Sequence, residues 1–157
     1  MPSIAEIIAI RIDPKTEVAD WFTFWFYDES DNGRVATLEG RVYWFRSAGS
    51  AKSQADSFIP SGYVLDPDLS TVCDIAASLY AIQLSGDVSE SLVLDSLNLL
   101  DDMLITAQQI EDLPNRKSLD VFCGQLTMGE SISSAIESAG GESRVVETLY
   151  SALGRLF

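Results

Sequence analysis

The sequence contains no histidine, and this absence removes several kinds of chemistry at once. Ser–His–Asp and Cys–His arrangements are excluded, and the commonest general acid–base residue and metal ligand is missing. The glycine-rich motifs of phosphate-binding loops, G-x-x-x-x-G-K-[ST] and G-x-G-x-x-G, are also absent. The sequence therefore predicts a protein that is not an enzyme and that needs no cofactor.

Long apolar runs and paired cysteines are scarce as well. No run of 18 uninterrupted apolar residues is present, so we expect no membrane span. The first 12 residues lack the basic start of a secretory signal. Cys73 and Cys123 do not have the spacing of metal ligands, and we interpret them as free, buried thiols. Together these features predict a cytoplasmic protein without a membrane partner.

Positive charge is missing from one long stretch of the chain. Between Ser53 and Asn115 the sequence has 11 Asp and Glu residues and no Lys, Arg or His. This acidic stretch supplies most of the formal net charge of −14 at pH 7. A strongly acidic surface repels nucleic acid and attracts basic protein surfaces. We therefore expect a basic protein partner and no direct binding of nucleic acid.

The order of β-type and helix-type patterns along the chain indicates the fold class. A chain of 157 residues is long enough to form a single domain with a substantial core. Residues 1–46 have the composition of a sheet, residues 47–65 that of a linker, and residues 66–157 that of helices. The expected fold is α+β, with an N-terminal antiparallel sheet of about three strands packed against a C-terminal layer of about five helices.

Aromatic residues are concentrated in the predicted sheet, where nine of the 15 lie between positions 21 and 45. Asn32-Gly33 separates two β-rich segments and predicts a type I′ hairpin, in which residue i pairs with residue 65 − i. We assign one uncharged face of this hairpin to the core: Trp21, Thr23, Trp25 and Tyr27. The opposite face carries Phe22, Phe24 and Phe26 beside Glu39 and Arg41. It is either a second packing face or an exposed binding surface.

Residues 28–39 resemble the calcium-binding loop of the EF-hand family. They have oxygen-bearing side chains at alternate positions, a glycine at the tight turn and a glutamate at the twelfth position. The resemblance implies five calcium ligands, namely Asp28, Ser30, Asn32, the backbone carbonyl of Arg34, and Glu39. A plain hairpin without a metal is the alternative for the same residues.

Two long helices are predicted within the acidic stretch. The first would begin after Asp66 as N-cap, with Pro67 in the first turn, and end near Ser85. The second would run from about Ser89 to Leu113, with its apolar residues on one arc and its acids on the other. Two apolar residues lie among those acids, as expected for a protein-contact surface. The candidate partner-binding residues are Glu90, Leu94, Asp95, Asn98, Asp101, Asp102, Ile105 and Asp112.

The leading hypothesis is a non-enzymatic acidic protein that docks on a basic, nucleic-acid-handling protein and inhibits or regulates it. Immunity proteins against toxins and phage inhibitors of bacterial defence are of this type. Two alternatives stay open. One is a calcium- or small-ligand-binding regulatory module that uses the Asp28–Glu39 loop. The other is a structural subunit that buries the Phe22/Phe24/Phe26 face in a homodimer.

Overall fold

The structure, a computed structural model, describes residues 3–27, 33–66, 68, 71–84, 88–107 and 113–157. Within these ranges the chain has an α+β fold with seven strands and seven helices. The residues divide into two compact units, Met1–Cys73 and Asp74–Phe157. No helix in the described ranges is long and apolar enough to cross a membrane.

The first unit is built around a mixed sheet. Its strands are β1 (Ser3–Arg11), β2 (Trp21–Tyr27), β3 (Arg34–Val35), β4 (Thr37–Leu38), β5 (Arg41–Val42), β6 (Tyr63–Leu65) and β7 (Thr71–Asp74). Five of them form one sheet in the order β3-β2-β1-β6, with β7 also paired to β1, while β4 and β5 form a separate hairpin. The expected sheet of about three antiparallel strands is therefore too small, and the pairing of β6 with β1 is parallel.

The phenylalanine face of β2 is a packing face that lies in the core of this unit. Phe24 and Phe26 pair with Ile7 and Ala5 of β1, and both rings are buried. The ring of Phe45 packs edge-on against Phe24, with 5.4 Å between ring centroids. Phenylalanine carries no polar atom, so its burial leaves no hydrogen-bonding group without a partner.

The tryptophan face, assigned to the core from the sequence, is buried in part. Thr23 and its β1 partner Ile8 are fully buried, whereas Trp21, Trp25 and Tyr27 are half-buried.

The predicted hairpin register is also wrong. Trp25 pairs with Val35 and Phe26 with Arg34, so residue i pairs with residue 60 − i. Gly33 does not have the positive φ that a type I′ turn requires, and Asn32 lies outside the described residues. The shift of register removes Glu39 and Arg41 from the phenylalanine face, so the ion pair expected on that face is not there.

A two-residue hairpin loop is found instead between β4 and β5. Thr37 pairs with Val42 and Leu38 with Arg41, which leaves Glu39 and Gly40 as the loop. Their φ angles are 54° and 80°, so both central positions are left-handed, as in a type I′ turn.

The segment 47–65, expected to be an irregular linker with at most one short helix around Gln54–Phe58, contains that helix and further regular structure. It forms α1 (Ala48–Ser53), α2 (Ala55–Phe58) and β6. The hydroxyl of Ser47 caps α1 by accepting a 3.0 Å hydrogen bond from Ser50 N. Ala51 and Ala55 are buried in the core beneath the phenylalanine face. Phe58 and Ile59 also pack against this core, and β6 pairs with β1, so the segment is part of the first unit rather than a free linker.

The second unit consists of five helices, the number expected. They are α3 (Ile75–Leu84), α4 (Glu90–Thr106), α5 (Arg116–Thr127), α6 (Ile132–Ser138) and α7 (Glu142–Leu156). The first begins later than predicted, because the β-branched Thr71 and Val72 belong to β7. Asp74 provides the cap in place of Asp66, since its Oδ1 accepts a 2.9 Å hydrogen bond from Ala77 N.

Candidate functional site

Helix α4 carries most of the candidate partner-binding residues and is fixed in place by its N-cap and its apolar face. Ser89 Oγ accepts a 3.1 Å hydrogen bond from Leu92 N, which starts the helix where the sequence predicts. Ser96 Oγ accepts a 2.9 Å hydrogen bond from Asp74 N and so ties the helix to the start of α3. The buried side chains of α4 are Val93, Ser96, Leu97, Leu99, Leu100, Met103 and Leu104.

The opposite side of α4 contains the predicted site residues, with different degrees of exposure. Glu90, Asp95 and Asn98 are exposed, and Ile105 keeps 53% of its surface accessible to solvent. Leu94, Asp101 and Asp102 are half-buried, and Asp112 lies outside the described residues. Helix α4 ends at Thr106, earlier than the predicted end near Leu113. No Lys or Arg occurs on α4. The exposed carboxylates are thus not neutralised within their own helix.

Asp101 departs from the predicted arrangement because it lies on the flank of α4 that adjoins α5. Partial burial raises the pKa of Asp101, and the nearby carboxylate of Asp120 raises it further, while Arg116 opposes the shift. Arg116 and Asp120 form an ion pair on α5, with 3.9 Å between Nε and Oδ2. The predicted line of site residues therefore does not form one surface. Glu90, Asp95, Asn98 and Ile105 are exposed, whereas Asp101 lies on the flank near the charged residues of α5.

The residues of α5 are the part of this surface that the sequence reasoning missed. The spacing of Arg116 and Asp120, four positions apart, predicts an ion pair on one helix face. No sequence pattern indicates that this face lies beside Asp101, because the two helices meet only through the packing of the unit.

Cys123 lies close to the same flank and is not a candidate nucleophile. Burial raises the pKa of its thiol to about 12, and the carboxylates of Asp101 and Asp120 add to the shift. At neutral pH the thiol is therefore protonated, and the protonated form is unreactive. Cys73 is fully buried.

The resemblance to an EF-hand loop does not extend to its surroundings. An EF-hand has a helix on each side of the loop, whereas β2 precedes residues 28–39 and the β4–β5 hairpin occupies their end. Arg34 pairs with Phe26 within the sheet, and its guanidinium lies 5.9 Å from the centroid of the Tyr63 ring. Glu39 is an exposed residue of the hairpin loop, and Asp28, Ser30 and Asn32 lie outside the described residues. Among the residues that are described, no three His, Cys, Asp or Glu side chains are grouped closely enough to hold a metal ion.

The phenylalanine face does not offer the homodimer surface considered for it. Phe24 and Phe26 are covered within a single chain, with only Phe22 partly accessible. A homodimer would therefore have to use another surface.

Comparison with known proteins adds no assignment to these observations. No known family model matches the chain, and neither a curated protein nor a solved structure matches it.

Proposed function

We propose that the chain is a non-enzymatic, cytoplasmic binding protein that docks the open stripe of α4 on a basic protein and thereby inhibits or regulates it. The open stripe is defined by Glu90, Asp95, Asn98 and Ile105. The observation that carries the proposal is the exposure of Ile105 at one end of a helix whose exposed charges are all negative. Immunity proteins and phage anti-defence inhibitors remain the type of protein that we propose.

The exposed stripe combines long-range attraction with a specific contact. Carboxylates without nearby cations attract a basic surface and increase the rate of association at low salt. Ile105 provides an apolar contact that becomes favourable only when water is excluded from it. A partner that fits this stripe would present Lys or Arg residues beside a shallow apolar depression.

Imitation of DNA is a weaker explanation for the charge on α4. A helix of 17 residues is about 26 Å long, and one DNA strand carries about seven phosphates over that length. The helix has four carboxylates, Glu90, Asp95, Asp101 and Asp102, and Asp101 lies on the flank beside α5. The number of negative charges per unit length on α4 is thus about half of that on one DNA strand. This spacing favours a partner surface with few cations. We propose that such a partner handles nucleic acid, since those proteins commonly have basic surfaces.

Charge reversal at two positions tests the proposal. Glu90→Lys with Asp95→Lys should abolish capture of the partner and flatten the salt dependence of its affinity. The control is Glu17→Lys with Glu130→Lys, which changes two exposed acids elsewhere and raises the formal net charge by the same four units. Affinity for the captured partner, once purified, would be measured by calorimetry at several salt concentrations. Equal loss in both double variants would show that the net charge alone matters, and would remove the α4 stripe as the binding site.

The contribution of Ile105 is tested separately. Ile105→Ala should weaken binding about tenfold or more, as truncation of a buried apolar anchor does. Leu84→Ala alters a comparably exposed apolar residue on α3 and should leave the affinity unchanged. If Ile105→Ala binds the partner as tightly as the wild type, Ile105 is not part of the contact, and only the electrostatic attraction remains of the proposed interaction.

A further inference from the structure

A cleft of about 360 Å³ lies within the second unit, where the ends of α5, α6 and α7 meet. Its lining surface is mostly apolar, with polar side chains among the lining residues, and it comes from three places in the sequence. The lining residues are Asn115, Lys117, Ser118, Val121, Ser138, Ala139, Gly140 and Arg144. The cleft does not include any residue of the α4 stripe, so it is a second and independent site.

Two cations line this cleft although the chain as a whole is strongly acidic. Lys117 and Arg144 are both exposed, and within the described residues neither has a carboxylate within the 4.0 Å that defines an ion pair. An unpaired cation in a cleft is available to bind an anion, because no competing carboxylate has to be displaced.

The side chain of Arg144 packs closely against Gly140 at the cleft, where a larger residue would leave less room for it. A Cβ on Gly140 would lie 3.2 Å from Arg144 Cδ and 3.3 Å from one of its terminal guanidinium nitrogens. Gly140 also has a φ of 94°, which disfavours any other residue there. The guanidinium therefore rests on bare backbone at the wall of the cleft, and its planar fork can form two hydrogen bonds with one phosphate group.

Ser118 provides a hydrogen-bonding group at the base of the cleft. Its residue is only 8% exposed, yet no hydrogen bond joins its hydroxyl to any described residue. The hydroxyl is not among the buried side-chain atoms that lack a hydrogen-bond partner, so it is open to solvent in the cleft. Ser118 thus supplies an open donor and acceptor to the cleft that Lys117 and Arg144 also line.

The start of α5 adds a partial positive charge to the same cleft. Asn115 is the N-cap of this helix, but its side chain makes no capping hydrogen bond. Its Nδ2 instead donates a 2.8 Å hydrogen bond to Glu147 Oε2 on α7. The positive end of the helix dipole is therefore left without a side-chain cap, and an anion in the cleft would be stabilised by it.

From these four features we infer that the cleft binds the phosphate monoester group of a small phosphorylated molecule. Its volume exceeds what a bare phosphate needs and falls in the range of small-molecule sites. The carboxylate of Glu147 lies beside the lining, since it accepts the hydrogen bond of Asn115, and it would repel the additional charges of a polyphosphate or a nucleic acid. A single phosphate, contacted by Lys117, Arg144 and Ser118, matches the two available cations.

Titration of the full chain with defined probes tests this inference. The probes are inorganic phosphate, 5′-AMP and glucose 6-phosphate, with adenosine and glucose as matched compounds that lack the phosphate. We expect saturable binding of the phosphate compounds, and backbone amide shifts in NMR spectra confined to the residues of the cleft. Adenosine and glucose should not bind. Absence of saturable binding by all three phosphate compounds up to about 10 mM, the range of the weakest specific ligands, would overturn the inference.

Variants distinguish a built site from general attraction of anions. Lys117→Gln, Arg144→Gln and Ser118→Ala should each weaken binding of the phosphate probe, the first two by about tenfold. Arg144→Lys keeps the charge but loses the planar fork, and should give an intermediate affinity. Arg41→Gln removes an exposed cation in the first unit and is the control. Equal weakening by Arg41→Gln and Arg144→Gln would contradict a specific site.

The phosphate site and the docking surface on α4 are tested by different variants. Glu90→Lys with Asp95→Lys should leave the residues that shift on addition of phosphate unchanged. Arg144→Gln, in turn, should leave the capture of a basic protein intact. Loss of phosphate binding in the α4 double variant but not in the cleft variants would place the anion site elsewhere and overturn the assignment.

Discussion

The indole of Trp25 lies directly against Gly33. A Cβ at position 33 would stand 2.5 Å from Trp25 Nε1 and 2.9 Å from two carbons of the ring, closer than non-bonded atoms can approach. Gly33 does not have a positive φ, so its conformation alone does not require glycine. The requirement comes from the tryptophan, which occupies the space where a side chain would be.

Substitution of Gly33 by alanine should therefore displace Trp25. We expect a loss of about 1–3 kcal/mol in the free energy of unfolding, the usual cost of overpacking. The emission spectrum of tryptophan should shift as well, since the indole must move to a different environment. Denaturant unfolding followed by fluorescence measures both effects.

Gly124 provides the matched control for this substitution. It lies in α5, has no neighbouring atom within 4 Å of an added Cβ, and does not have a positive φ. Gly124→Ala should raise stability by about 0.5–1 kcal/mol, because alanine is the better helix former. A Gly33→Ala variant as stable as the wild type would show that Trp25 can repack without cost.

Two dipeptides of the first unit, Asn32-Gly33 and Glu39-Gly40, show how much of the fold could be predicted from the sequence. Asn32-Gly33 has the favoured composition of a type I′ turn, yet the observed loop of this kind is Glu39-Gly40, which has the less favourable first residue. Turn preferences amount to about 1 kcal/mol, whereas burial of Phe24 and Phe26 involves several. Packing of those rings therefore decides the register, and packing is not visible in a local sequence pattern.

Glu39 should be replaceable with a gain in stability. Its φ of 54° costs about 1–2 kcal/mol for an ordinary L-residue and much less for asparagine. We expect Glu39→Asn to raise the free energy of unfolding by about 1 kcal/mol. Glu39→Gln removes the charge without relieving the backbone and is the control. If both variants gained equally in urea denaturation, the charge of Glu39 would be the cause.

The phenol of Tyr27 should lose its proton only at an unusually high pH. Its hydroxyl donates a 2.8 Å hydrogen bond to Glu6 Oε1, and this bond, with burial and the charges of Glu6 and Asp66, raises the pKa of Tyr27 from 10.0 to about 12. A folded-state pKa above the unfolded value means that the contribution to stability is complete below pH 10. It is then lost as the pH rises towards 12.

Spectrophotometric titration of the phenolate checks this behaviour. The difference between the titration curves of the wild type and Tyr27→Phe isolates the ionisation of Tyr27. The Glu6→Gln variant should have a lower Tyr27 pKa than the wild type. Tyr27→Phe should also cost about 1 kcal/mol at neutral pH, as expected for a partly exposed hydrogen bond to a carboxylate. An unchanged titration curve in Glu6→Gln would mean that burial, rather than the hydrogen bond, controls the pKa of Tyr27.

The candidate binding surface was predictable only within single helices. The repeat of apolar residues along α4 correctly places Leu97, Leu100 and Leu104 inside, and the acids follow on the other side. The same repeat places Asp101 on the open surface, because it contains no information about the position of α5. The cleft at the ends of α5, α6 and α7 was likewise invisible, since Lys117 and Arg144 are 27 positions apart and neither belongs to a recognisable motif.

Asp101 should be a source of instability at neutral pH. Its pKa is raised by burial and by Asp120, so its ionised form is less favourable in the folded chain than in the unfolded one. Asp101→Asn should therefore raise the free energy of unfolding at pH 7, by about 0.5 kcal/mol for a half-exposed charge. The gain should shrink as the pH falls through the raised pKa of folded Asp101, and it should be absent below the ordinary aspartate pKa of 3.8, where Asp101 is protonated in both states. Asp95→Asn, on the open stripe of the same helix, is the control for removal of one negative charge from α4. A gain for Asp101→Asn that persisted undiminished at pH 3 would show that ionisation of Asp101 is not its origin.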